Sequence, residues 1–268
     1  MIITQAPLRI SFVGGGTDLP DFYRKHGGAV ISTAIDKYVF VIVKERFDKM
    51  IYLNWMKKEI VEDLNQIEHE LIREAMRKTG VKKGVEITTL SDIPAEGAGL
   101  GSSSSITVAL LQALYLHQGV HVDAERLAKE ACEIEIKILG KPIGKQDQYI
   151  AAHGGLRHFE FKKNNSVKIT TPKIDNDLLY QLDSHLMLFF TGKTRKSSEI
   201  LSEQKAKIVN TIPILKKMRD QSYQVFKAFE KGNLKFLGEA LDLGWELKKK
   251  LAGGITNPEI DEMYKKAK

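Results

Sequence analysis

The sequence has a single cysteine, Cys132, among its 268 residues. One thiol cannot form an internal disulfide or supply a cysteine-based zinc cluster, which excludes a disulfide-stapled domain and a zinc finger. No apolar run reaches the roughly 18 residues that a membrane-spanning helix needs, and residues 1–4 lack a signal-peptide pattern. We therefore expect a soluble, cytoplasmic protein without a membrane partner.

Long linkers, internal repeats and low-complexity tracts are also missing, and the composition (43% hydrophobic, 28% charged) is typical of a folded protein. Residues 1–90 are rich in strand patterns, whereas helical spacing begins at Ser102 and dominates beyond residue 197. A further strand is expected at 186–190. The irregular mixture predicts an α+β fold with two domains, residues 1–175 and 176–268.

The net charge of +7 raises the question of nucleic-acid binding. The lysines near the C-terminus alternate with acidic residues at helical spacing, which is typical of a solvated helix face. The sequence contains no helix-turn-helix signature, zinc finger or RNA-binding aromatic motif. We expect no nucleic-acid partner.

A glycine-rich stretch runs from residue 97 to residue 101, directly into the apolar helix predicted from Ser102. Gly97, Gly99 and Gly101 permit positive φ, so several backbone amides can face one concavity at the positive end of a helix. Such a loop suits the phosphates of a nucleotide, and the serines add hydroxyls for phosphate or magnesium. The alternative is a flexible loop followed by a serine cap.

A second glycine cluster follows a strand near the N-terminus. Arg9 lies within the alternating strand that leads into Gly14-Gly15-Gly16, and Thr17 and Asp18 follow directly. An arginine inside such a strand is costly unless it pairs with an anion. An exposed arginine on an edge strand is the alternative.

Two carboxylates lie twelve residues apart, Glu135 near the end of a predicted helix and Asp147 in the turn-rich stretch after it. Beside a phosphate loop, one acid can hold Mg²⁺ while the other receives a proton from an acceptor hydroxyl. Either side chain could instead simply be solvated.

Together, these segments resemble the GHMP family of small-molecule kinases. Residues 94–105 resemble its second motif, the ATP loop; residues 6–18 resemble its first motif; and residues 144–148 resemble the segment that carries its catalytic aspartate. The resemblance implies an enzyme that uses ATP and Mg²⁺. It also implies a ribosomal-protein-S5-like N-terminal domain followed by a ferredoxin-like C-terminal domain.

The resemblance assigns a role to each motif residue. It implies Asp147 as the catalytic base or orienting group, with Arg9 beside it. Ser102 and Glu135 would hold the magnesium, although Glu135 aligns with mevalonate kinase only across a one-residue insertion. The implied ATP-binding residues are Gly97, Ala98, Gly99, Leu100, Gly101, Ser102, Ser103 and Ser104. The implied substrate-binding residues are Gly14, Gly15, Gly16, Thr17, Asp18 and Arg195.

Within the family, the triple glycine, residues 144–148 and residues 190–195 are most similar to the heptose-phosphate branch. This implies a sugar phosphate as substrate and its anomeric hydroxyl as acceptor; the fucokinase branch shares parts of the pattern. The family's third motif is missing, and we expect a C-terminally truncated second domain. A non-catalytic nucleotide- or sugar-binding remnant is the alternative, but the joint presence of Arg9, Glu135 and Asp147 favours an enzyme.

Overall fold

A computed structural model of the protein describes residues 1–93, 98–192 and 197–268. The chain divides into two compact units. The first comprises Met1–Ile10 and Ala34–Gly155, and the second comprises Ser11–Thr33 and Leu156–Lys268. Both boundaries near the N-terminus fall within long strands, so the first two strands each contribute residues to both units.

Strands are concentrated in the first 170 residues, and helices dominate the rest of the described chain. The strands are β1 (Ile2–Val13), β2 (Gly28–Glu45), β3 (Ile51–Asn54), β4 (Lys58–Val61), β5 (Val85–Ser91), β6 (Leu156–Phe161) and β7 (Val167–Thr170). The helices are α1 (Pro20–His26), α2 (Glu70–Thr79), α3 (Ser102–His117), α4 (Ala124–Cys132), α5 (Gln146–His153), α6 (Asn176–Ser184), α7 (Ser197–Ala206), α8 (Ile208–Glu230), α9 (Lys235–Lys248) and α10 (Pro258–Ala267).

The first unit is built on a mixed sheet with the strand order β4-β3-β5-β2. The β3–β5 pair is parallel, whereas β4 and β2 pair antiparallel with their neighbours. Alternate residues such as Val39, Val41 and Val43 point to one face and are completely buried, as the period of two in a strand requires. That face forms the apolar core of this unit together with α2 and α3.

Helix α3 is the central helix of the first unit. Its buried residues surround most of its circumference, from Ser104 through Tyr115, which explains why an apolar helix without a polar stripe is stable here. No helix within the described residues is long and apolar enough to cross a membrane.

The second unit pairs the first part of β2 with β6, and β6 with β7, all antiparallel. Its apolar cluster joins Leu19 and Phe22 to residues of α8 and to the end of α9. Phe22 and Leu215 are almost completely buried, at 0% and 2% exposure. This cluster lies directly behind the segment that carries the triple glycine.

The α+β class expected from the sequence is confirmed, and so is the helix that begins at residue 102. The strand expected over residues 186–190 is wrong, because the segment has no regular structure and Met187, Leu188, Phe189 and Phe190 are 60–79% exposed. A β-prone run becomes a strand only where a neighbouring strand pairs with it, and none of the described strands pairs with this one. The domain boundary at residue 175 stays a prediction.

Candidate active site

The glycine loop that precedes α3 adopts the backbone conformation expected of it. Gly99 and Gly101 have φ values of +71° and +80°, a region that residues with a Cβ rarely enter. Gly101 occupies the position before α3, and no side chain among the described residues caps the helix there. The amides of the first turn therefore suit an anion such as a phosphate.

Arg9 connects this loop to Asp147. Its Nε donates to Asp147 Oδ1 at 2.7 Å and its Nη2 donates to Oδ2 at 2.6 Å, so the ion pair is bidentate. The third guanidinium nitrogen, Nη1, donates to the Gly99 carbonyl at 2.7 Å, and the Arg9 backbone amide donates to the Leu100 carbonyl at 3.0 Å. One strand residue thus fixes both the carboxylate and the glycine loop, since bidentate pairing orients as well as attracts.

The loop approaches this ion pair so closely that a side chain at position 101 would displace its neighbours. A Cβ at Gly101 would lie 3.2 Å from Arg9 Cγ, 3.4 Å from Arg9 Nε and 3.4 Å from Asp147 Oδ2. A second connection lies one helical turn away, where the Ser105 hydroxyl donates to the Pro7 carbonyl at 2.7 Å. Strand β1 therefore supports the start of α3 at two points.

Asp147 lies in the first turn of α5 and remains accessible. Its side chain is 24% exposed and that of Arg9 is 13% exposed. An accessible carboxylate that is held rigidly by a guanidinium can accept a hydrogen bond from an incoming hydroxyl group. Asp147 is therefore the carboxylate in this region that a substrate can reach.

Glu135, in contrast, is completely buried. Burial raises the pKa of its carboxyl group, while hydrogen bonds from Ser104 and Gln148 and the charge of Lys141 oppose that rise. The Ser103 and Ser104 hydroxyls donate to its two oxygens at 2.8 and 2.7 Å, and Gln148 Nε2 donates at 2.7 Å. The carboxyl group is thus tied to the first turn of α3.

A π-helical segment, Glu133–Ile138, continues α4 and carries Glu135. A π-helical turn contains one more residue than an α-helical turn, and such segments recur at functional sites. This wider turn carries Glu135, whose carboxylate faces the serines of α3.

The donors around Glu135 have the chemistry that suits Mg²⁺. The carboxylate, two serine hydroxyls and the Gln148 amide oxygen are all oxygens, the ligands that this ion prefers. Gln148 Oε1 is buried and has no hydrogen-bond partner within the described part of the chain. Among the described residues, no three His, Cys, Asp or Glu side chains lie together in a way that could hold a metal ion, so a magnesium ion here would have few protein ligands, as is usual when phosphates supply the others.

The N-terminal glycine cluster lies in the second unit and forms a tight turn. A Cβ at Gly14 would lie 2.0 Å from the Ala29 carbonyl oxygen, so glycine is obligatory there. The Thr17 hydroxyl donates to the Ala29 carbonyl and accepts from its amide, and Asp18 Oδ1 accepts from the Gly16 amide at 2.9 Å. Asp18 is 3% exposed. Gly14–Asp18, five of the six residues expected to bind substrate, therefore form one ordered turn.

The described residues include most, but not all, of the predicted site. Gly97 and Arg195, predicted for ATP and substrate, lie outside the described residues. The magnesium hypothesis named Ser102, whereas the hydroxyls of the next two serines contact Glu135. Sequence reasoning missed Gln148, although its position next to Asp147 in the motif at 144–148 was a signal for it.

Comparison with known proteins shows what this chain is similar to. Residues 54–155 match the GHMP kinases N terminal domain. The chain is 29% identical to the D-glycero-alpha-D-manno-heptose 7-phosphate kinase of Campylobacter jejuni over 280 residues, covering 99% of this chain and 82% of that protein. It is 25% identical to the L-fucokinase/L-fucose-1-P guanylyltransferase of Bacteroides fragilis, covering 96% of this chain and 31% of that protein.

A solved structure shows the same fold. The crystal structure of a D-glycero-D-manno-heptose 1-phosphate kinase from Bacteroides thetaiotaomicron superposes with a TM-score of 0.80 at 28% identity, covering 93% of this chain and 80% of that one. These relatives confirm the resemblance to the GHMP kinases and the sugar-kinase class that the sequence predicts.

Proposed function

We propose, from the match of residues 54–155 to the GHMP kinases N terminal domain, that the protein transfers the γ-phosphoryl group of ATP to the anomeric hydroxyl of a sugar phosphate. D-glycero-D-manno-heptose 7-phosphate is the proposed acceptor, and the 1,7-bisphosphate is the proposed product. The observation that carries this proposal is the position of Arg9, which pairs with Asp147 and also holds the Gly99 and Leu100 carbonyls.

Asp147 is the proposed partner of the acceptor hydroxyl. In the reaction, the hydroxyl oxygen forms a bond to the γ-phosphorus, the bond from that phosphorus to the β–γ bridging oxygen breaks, and ADP leaves. The hydroxyl proton passes to the Asp147 carboxylate. Because phosphoryl transfer has a loose transition state, orientation of the hydroxyl is as important as removal of its proton. The bidentate pair with Arg9 supplies that orientation.

The loop at 98–104 is the proposed cradle for the ATP phosphates. Its positive-φ glycines leave backbone amides at the start of α3 without a capping side chain, and helix N-termini favour negative charge. The Arg9 guanidinium, paired with Asp147, lies at the base of the same loop. Stabilisation of the charge on the transferring phosphoryl group is usually the largest single contribution to the rate enhancement.

Magnesium is the proposed companion of ATP, and Glu135 with the serines of α3 would hold it. Such an ion neutralises phosphate charge when it is bound. The hydroxyl hydrogens of Ser103 and Ser104 are donated to Glu135. The lone pairs of the same hydroxyl oxygens would be the ones that bind the magnesium ion. Gln148 orients the carboxylate from the other side.

The substrate assignment is supported by the names of the relatives. The proteins from C. jejuni and B. thetaiotaomicron are both named as kinases of a heptose phosphate. The proposed sugar-binding element is the turn formed by Gly14–Asp18, in which the buried Asp18 carboxylate accepts from the Gly16 amide. With ATP as donor, the proposed setting is the cytoplasm.

A substrate panel tests this function. ADP release should be measured with the heptose 7-phosphate, the free heptose and L-fucose, in the presence of ATP and Mg²⁺. We expect turnover to be fastest with the heptose phosphate, and to be strongly reduced by Asp147→Asn but not by Asp183→Asn, which alters an exposed acid on α6. Preference for L-fucose would favour the fucokinase alternative, and binding of ATP and sugar without ADP release would favour a non-catalytic module.

A further inference from the structure

The end of α9 forms the support of the N-terminal glycine turn. Leu247 and Leu251 are buried in the same apolar cluster as Leu19, which directly follows the turn. A Cβ at Gly16 would lie 3.8 Å from Leu251 Cδ1. The backbone at the end of α9 is therefore fixed by packing, and so is the starting position of the side chain that directly follows Leu247.

That side chain is Lys248. Its Nζ lies 3.4 Å from the Gly15 carbonyl oxygen and donates to it, which places the ammonium group at the glycine turn. An ammonium group carries three donors and a compact charge. A long hydrogen bond to a neutral carbonyl is weak, and a bond from the same group to a phosphate oxygen is charge-assisted and about twice as strong.

The charge of the turn makes such a cation necessary for a phosphorylated ligand. The only ionisable residue within residues 14–19 is Asp18, which is buried. A phosphate monoester carries a charge of about −1.5 to −2 at neutral pH, so it and an ionised Asp18 would repel each other. A free sugar brings no such charge and has no need of a cation.

We propose that Lys248 binds the phosphate group that the acceptor sugar already carries, and that it thereby selects sugar phosphates over free sugars. This inference rests on the proposed function and adds a specificity-determining residue to it. Arg195, which the family resemblance implies as a substrate-binding residue, lies outside the described residues. Lys248 was missed from the sequence because it lies more than 200 residues from the glycine cluster, in a helix rich in lysine.

The test replaces Lys248 by methionine, which removes the charge and keeps the length of the side chain. Hydrogen bonds to charged groups contribute enough for a 10- to 100-fold effect, approximately. Lys248→Met should therefore lower the ratio of kcat/KM for the heptose 7-phosphate to kcat/KM for the free heptose by about that factor. Lys248→Arg should restore most of the preference.

Lys249→Met is the matched control, because Lys249 pairs with Glu246 at 2.7 Å and follows Lys248 directly. It should leave the ratio unchanged. If Lys248→Met changes kcat/KM equally for both sugars, Lys248 has only a structural role and the inference is wrong.

Calorimetric titration with the heptose 7-phosphate in the absence of ATP separates this inference from the proposed function. If the wild type shows no turnover of any sugar, the proposed function fails. The inference still holds if the sugar phosphate binds the wild type and the Lys249 variant but binds Lys248→Met about 10- to 100-fold more weakly. Equal affinities of the three proteins would overturn it.

Discussion

Gly101 offers a sharp test of the Arg9–Asp147 arrangement, with Gly99 as its control. Both glycines have φ values between +70° and +80°, and an alanine in this left-handed region costs about 1–2 kcal/mol. Gly101→Ala and Gly99→Ala should therefore lower the free energy of unfolding by similar amounts. Urea denaturation measures this shared cost.

The two variants should differ in catalysis. A Cβ at Gly101 would lie 3.2 Å from Arg9 Cγ and 3.4 Å from Asp147 Oδ2, whereas no described atom lies within 4 Å of a Cβ at Gly99. The clash displaces the ion pair by about a few tenths of an ångström, and because a misplacement of about 1 Å costs roughly 100-fold in rate, we expect about a tenfold loss of kcat for Gly101→Ala. The open space beside Gly99 is where the phosphates are proposed to bind, so Gly99→Ala should chiefly raise KM for ATP.

Steady-state kinetics with ATP as the varied substrate distinguishes these effects. Two results would contradict the proposed effect of Gly101 on the Arg9–Asp147 ion pair: Gly101→Ala keeps the kcat of the wild type, or both variants lower kcat by the same factor. The first result would mean that the close approach of the loop has no bearing on catalysis. The second would mean that the loop acts through its general conformation and not through the ion pair.

Three further predictions follow from the described contacts. Asp147→Asn should lower kcat by about 10²–10⁴ with little change in ATP affinity, and a turnover near that of the wild type would contradict its role. Burial raises the pKa of Glu135. Its contribution to the free energy of unfolding is therefore complete below its unfolded pKa of about 4.3 and is lost as the pH rises through the folded pKa. Glu135→Gln should make the free energy of unfolding, measured in urea titrations, decline less over that range, and should raise the Mg²⁺ concentration needed for half-maximal activity. Burial lowers the pKa of His158 to about 4. The free energy of unfolding in urea titrations should therefore fall by up to about 3 kcal/mol as the pH falls from about 6.5 to 4. His158→Phe keeps a ring beside Phe226 and should not show this fall.

The parts of the site that could be predicted from the sequence are those encoded by local chemistry. Gly99 and Gly101 indicate positive φ because other residues rarely adopt it, and the structure confirms both. Arg9 within a strand indicates an anionic partner because an isolated charge there is costly. Local chemistry alone could not identify that partner, since Arg9 and Asp147 are 138 residues apart; only the family resemblance implied that Arg9 lies beside Asp147.

Features that depend on tertiary packing were harder to predict. Helix α2 begins at Glu70 because His69 caps it by accepting from the Ile72 amide, and histidine is not a common capping residue. Leu186–Phe190 has the composition of a strand but has no pairing partner among the described strands. Lys248 approaches Gly15 only because α9 packs against the glycine turn, which no spacing in the sequence encodes.

Phosphorus NMR of the reaction mixture shows whether the protein phosphorylates the anomeric hydroxyl. With ATP, Mg²⁺ and the heptose 7-phosphate, we expect ADP together with a new phosphomonoester resonance that is coupled to the anomeric proton, while the 7-phosphate resonance is retained. Release of inorganic phosphate without a second sugar phosphate, or a new phosphate on any other carbon, would contradict this expectation.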